Sequence, residues 1–145
     1  MKKIFFLMSL FSLSNSSFSQ TSFKEIFETV LSNPNIETSF SRVNDLFGGI
    51  PKREKMSDDR QATTYEYELS EKEKILFVKT RSNVYSMVYF LFPNTDEYAN
   101  YVIKKLDNKF RYTKDNVWIN LNDKLMYSIK FDGAVSILVI QTMNI

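Results

Sequence analysis

The chain contains no cysteine and no histidine, and these two absences exclude more chemistry than any residue present asserts. Without Cys there is no disulfide framework and no lipid attachment through a cysteine. Without either residue, zinc sites of Cys/His composition and the Ser-His-Asp and Cys-His nucleophile arrangements cannot be built. Glycine is scarce, with 3 in 145 residues, and Gly48-Gly49 reads as a helix stop rather than a Gly-rich phosphate cradle. Proline is equally scarce, with 3. Against these shortages stand 13 Phe, 8 Tyr and one Trp. Burying one large apolar side chain is worth roughly 1.5–3 kcal/mol, so an aromatic core must supply the stability that disulfides do not.

No apolar run reaches the length of a membrane span, and the longest lies at the start. Lys2 and Lys3 form a positive n-region, Ile4 to Leu13 an apolar h-region of ten residues, and Ser17-Phe18-Ser19 a small-residue cleavage site before Gln20. Ten helical residues rise about 15 Å against a hydrocarbon core of about 30 Å, which favours a signal peptide over an anchor. The expected organisation is a signal peptide over 1–19 and a single α+β domain over 20–145, with no transmembrane segment after cleavage. The protein is then periplasmic or secreted. Removing Lys2 and Lys3 from the 19 basic residues leaves 17 against 17 acidic. That balance offers no clustered positive charge for phosphate neutralisation, so no nucleic acid is expected as partner.

Ser22-Phe23-Lys24-Glu25 fits a capping box, and Phe23, Ile26, Phe27, Val30 and Leu31 make one helical stripe behind it. A shorter helix is expected from Ser41 to Phe47, stopped by Gly48-Gly49 and Pro51. Lys52 to Arg60 holds seven charges in nine residues and reads as a solvated loop. The period then changes to two. Strands are expected at Thr63–Leu69, Ile75–Lys79 and Val84–Phe92, the last apolar on both faces. Pro93 to Glu97 opens a third helix with Ala99, Val102, Ile103 and Leu106 inward. Strands near Val117–Leu121, Leu125–Phe131 and Val135–Thr142 finish the chain, with Asn122-Asp123 and Asp132-Gly133 as turns.

The order α-α-β-β-β-α-β-β-β implies an α+β two-layer sandwich, a mostly antiparallel sheet of about six strands with helices on one face. A duplicated helix-plus-meander unit is one reading of that rhythm. The acids sit where surface acids sit: Glu66 and Glu68 on a strand's polar side, Glu71 and Glu73 in a turn. Asp58-Asp59 and Asn120 to Asp123 lack the alternating spacing of a calcium loop. No catalytic, cofactor-binding or metal-binding residue is assigned, and no cofactor is called for.

What the sequence has in excess is rigid amphipathic ring surface, of the kind favoured at interfaces. Tyr65, Tyr67, Tyr85, Met87, Tyr89 and Leu91, with Lys52, Arg53 and Arg60 of the charged loop, form the candidate interaction surface. Leu76 and Val78 are expected beside Tyr85, Met87, Tyr89 and Leu91 on the second apolar face.

Ser41-Arg42-Val43-Asn44-Asp45-Leu46-Phe47-Gly48, then Pro51 and Tyr65-Glu66-Tyr67, make a helix–Gly–x–Pro–strand pattern. It resembles small outer-membrane assembly lipoproteins of the BamE type, over residues 41–67; tandem relatives of that layout include secreted β-lactamase-inhibitor proteins. The resemblance implies an α+β layout and a binding role, and carries over no site residue. The chain departs from it by lacking the lipid-bearing Cys and by the long charged loop after Pro51. The expected function is a non-enzymatic protein-interaction module of immunity or inhibitor type, its partner another protein. Two alternatives stay open: a carrier or sensor of a small apolar ligand, and a hydrolase built on carboxylates.

Overall fold

A computed structural model describes residues 22–33, 35–82 and 85–144, so the expected signal peptide lies outside the described residues. Helix α1 spans Phe23–Leu31. The Ser22 hydroxyl accepts the Glu25 N–H at 3.2 Å, satisfying one orphan donor of the first turn. Phe23, Ile26, Phe27, Val30 and Leu31 are all buried, the whole stripe that the spacing required. Helix α2 spans Ile36–Leu46 and starts five residues before the expected Ser41. The reason is an earlier cap: Asn35 Oδ1 accepts the Thr38 N–H at 2.7 Å. The helix ends in a Schellman turn. Gly48 and Gly49 stand at φ +73° and +82°, and their N–H groups donate to Asp45 and Asn44 carbonyls at 3.0 and 2.8 Å.

Eight strands follow: β1 (Arg53–Met56), β2 (Ala62–Ser70), β3 (Glu73–Thr80), β4 (Tyr85–Pro93), β5 (Arg111–Tyr112), β6 (Val117–Asn120), β7 (Leu125–Asp132) and β8 (Val135–Thr142). Helix α3, Asp96–Lys109, joins β4 to β5. All pairings are antiparallel, in the order β1-β2-β3-β4-β8-β7-β6-β5. The two strands beyond the expected six are the edges. Every side chain of β1 and β5 is exposed, so neither carries an apolar alternation, and β1 arises within the stretch expected to be a charged loop. Each half is a helical segment followed by a four-strand meander. The last strands of the halves, β4 and β8, pair at the centre, from Met87 opposite Gln141 to Pro93 opposite Val135.

The three helices of the described residues cover one face. Phe23 meets Phe90, Phe92 and Tyr98 with ring centroids 5.9, 5.6 and 5.4 Å apart, and Phe27 meets Phe90 and Tyr101 at 5.4 and 5.9 Å. Helix α1 is thereby wedged between β4 and α3. Phe40 of α2 covers Tyr65, Phe77 and Tyr85 at 5.2, 5.3 and 4.5 Å. At the far end Trp118 is buried in the core that also holds Val102 and Leu106, and its indole N–H donates to Asp107 Oδ1 at 2.8 Å. Phe110 stacks on Tyr127 at 4.3 Å.

Adjacent residues of β4 therefore play opposite parts. Phe90 is buried between α1 and the sheet, whereas Tyr89 lies on the side that carries no helix. Phe90→Ala is expected to cost about 3–5 kcal/mol by removing a fully packed ring. Tyr89→Ala is expected to cost under about 1.5 kcal/mol, the difference reflecting incomplete burial. Urea midpoints of the two variants check this, and equal losses would contradict the layer assignment.

Candidate functional site

The antiparallel register lines up the residues that point away from the helices. One cross-strand row runs Glu66, Leu76, Tyr89, Val139, Ser128. A second runs Thr64, Val78, Met87, Gln141, Met126. A third runs Glu68, Lys74, Leu91, Ile137, Lys130. On β3, β4 and β8 these rows are apolar at seven of nine places: Leu76, Val78, Met87, Tyr89, Leu91, Ile137 and Val139. All seven are half-buried, and none belongs to the core under the helices. Strands about 4.8 Å apart and same-face residues about 7 Å apart make this band on the order of 300 Å². Patches of that size on a single chain are often functional.

Charged residues frame the band along β1 and β2. Lys52 Nζ meets Glu68 Oε2 at 2.6 Å, Arg53 Nε meets Glu66 Oε2 at 3.6 Å, and Lys74 Nζ meets Glu66 Oε1 at 3.9 Å. The Lys52 hydrogen bond holds the Glu68 carboxyl below its ordinary range. Glu66 Oε2 is shielded from solvent and accepts no hydrogen bond. Glu66 and Glu68 share a face, but each is matched to cations rather than set against the other. Among the described residues, no three Asp or Glu side chains come together in a group able to hold a metal ion.

The structure divides the sequence-derived surface in two. Met87, Tyr89 and Leu91 lie in the band, joined by Leu76 and Val78, with Lys52 and Arg53 at its rim. Tyr65, Tyr67 and Tyr85 lie on the helix-covered face instead. Tyr67 is fully buried, its hydroxyl donating to Asn44 Oδ1 at 2.6 Å. Tyr85 departs from the expected alternation because of a bulge. Val78 pairs with Met87 but Lys79 pairs with Tyr85, so Ser86 is an extra residue that turns Tyr85 to the other side. Arg60 stands apart in the β1–β2 turn. Ile137 and Val139 were not among the expected site residues. Their signal was present, since Val135 to Ile140 is apolar on both faces except Ser136, as strand β4 is.

No family model, curated protein or solved structure matches this chain. The likeness of residues 41–67 to the assembly lipoproteins therefore stands on those residues alone. Among the described residues, no helix is long and apolar enough to cross a membrane.

Burial raises the phenol pKa of Tyr67, Tyr101 and Tyr127; Tyr101 is pushed up to about 12, with Glu28 beside it adding to the effect. An unfolded chain's phenols ionise near 10. The unfolded state therefore sheds protons first, and stability is full below about pH 10 and lost as pH rises through the folded values. Urea midpoints are expected to decline from about pH 10 to 12, and Tyr101→Phe to flatten that decline. A midpoint constant over this range would contradict the burial of these rings.

Proposed function

We propose that this chain is an exported, non-enzymatic interaction module that binds another protein through the apolar face of its sheet. An immunity or inhibitor protein directed at a secreted toxin or hydrolase is its most concrete form. One observation carries the reading: seven contiguous apolar side chains of β3, β4 and β8 lie on the face opposite the helices. The two sheet edges favour binding across the face over strand addition. Strand β1 exposes Arg53, Glu54 and Lys55, and β5 is two residues long, both devices that discourage edge pairing. The space between sheet and helices, where a carrier would hold an apolar ligand, is filled by Phe23, Phe27, Phe90, Phe92 and Tyr98.

Tyr89 is the natural anchor. Rigid aromatic side chains at the centre of a patch carry a disproportionate share of binding energy. Its hydroxyl already lies along the surface, donating to Met87 Sδ at 3.5 Å.

A photo-reactive residue placed at position 89 in the exported protein is expected to give one discrete protein adduct in its native envelope or medium. The same residue at exposed Lys104 on α3 is expected to give none. Val139→Lys should abolish the adduct while leaving the circular dichroism unchanged. Identical adducts from both positions, or none from 89, would reject this role.

A further inference from the structure

We propose that the corner where β1, β2 and β3 end is a binding site for a phosphate-type oxyanion, separate from the apolar sheet face. A depression of about 230 Å³ opens there, lined by Arg60, Lys79 and Arg81 together with Tyr65, Met56 and Thr63. Three cations thus line one concavity. Among the described residues none of the three has a carboxylate within ion-pair distance.

No acid lines the depression; Glu54 and Glu37 act on it only from beside Tyr65 and Tyr85. Asp59 is turned onto its own loop, accepting from the Ser57 hydroxyl at 2.6 Å and the Gln61 N–H at 3.0 Å. Asp58 is exposed in the same turn, and Glu54 lies on β1 opposite Tyr65. Neither lines the depression.

The backbone brings the three residues to one corner. Arg60 adopts φ +57°, the left-handed region that a bulky side chain enters only at a cost, and its N–H donates to the Ser57 carbonyl at 2.9 Å. The Arg81 N–H donates to the Gln61 carbonyl at 2.8 Å, tying the β3 end to the β1–β2 turn. The bulge at Ser86 brings Tyr85 under Lys79, whose ammonium lies 5.3 Å from the ring centroid.

Oxyanions are the ligand class this chemistry selects. Guanidinium groups present planar forks of donors that match phosphate oxygens, and the lysine adds a point charge. The depression is smaller than the roughly 300–1,000 Å³ of drug-sized ligand sites, which suits a phosphate group with at most a small body. Tyr65 and Met56 would take that body.

The test titrates the folded chain with inorganic phosphate and with phenyl phosphate, at constant ionic strength, by calorimetry and amide chemical shifts. Saturable binding of one anion per chain is expected, with shifts confined to residues 56–65 and 79–82. Tighter binding of phenyl phosphate assigns the site to a phosphoester; equal binding assigns it to the bare oxyanion. Arg81→Ala should weaken either by about tenfold, the usual effect of losing one charge-assisted hydrogen bond. Arg60→Asn suits the left-handed backbone, so it should weaken binding while leaving the urea midpoint unchanged or higher. Lys130→Ala, on the other sheet face, should change nothing. Absence of saturation at millimolar anion, or binding indifferent to both arginine substitutions, overturns the proposal.

Discussion

The fold depends on one layer of aromatic rings pressed between a helix and the middle of the sheet. Phe23 and Phe27 of α1 meet Phe90 and Phe92 of β4, while Tyr98 and Tyr101 of α3 close the layer from the side. Edge-to-face contacts of this kind add about 0.5–1.5 kcal/mol beyond area burial, and they fix relative orientation as well. Because β4 lies beside β8 at the sheet's centre, this layer ties both halves to one helix. The second half adds its own aromatic anchor in Trp118 and Tyr127, and the first half adds Phe40 over Tyr65, Phe77 and Tyr85. A protein without disulfides needs this continuity.

A sheet with helices on one side has a second face, and here that face is apolar at its centre. Strands β3, β4 and β8 carry large side chains on both sides, as strands buried twice would. Their outward residues are half-buried only because they shelter one another. Leaving such a band open works against solubility, and the rim of Lys52, Arg53, Glu66, Glu68 and Lys74 partly offsets it. The charged, short edge strands have the same logic, restricting unwanted pairing while the face stays available. Under the proposed binding role, this band is the surface kept for a partner.

The two halves make a further point about how this architecture is assembled. Each runs helix first and then a four-strand meander, and the halves join strand to strand through β4 and β8. The antiparallel seam places the halves head to tail across the sheet centre. Helices from both halves then fall on the same side and share one core. The apolar outer band is a product of this seam, since Tyr89 and Val139 come from different halves and lie directly opposite.

Local order was legible in the residues themselves. The spacing of Phe23, Ile26, Phe27, Val30 and Leu31 dictated α1, the Gly48-Gly49 pair dictated where α2 stops, and alternation with turn residues located six of the strands. Those features depend on neighbours within a few positions, and such interactions are written in the order of the chain. Strand β1 was hidden because an edge strand of Arg, Glu and Lys has no apolar period and forms only when β2 offers it hydrogen bonds. The face of Tyr85 was hidden because a bulge is a mismatch between two strands, invisible in either one. Whether Tyr67 is surface or core, whether Ile137 joins Leu91, and which cations lie together beside Tyr65 depend on residues brought close from far along the chain. The sequence by itself determined the helices, the six inner strands and the chemistry denied to the protein; only tertiary packing decided where the edge strands form, which face is covered and what the uncovered one presents.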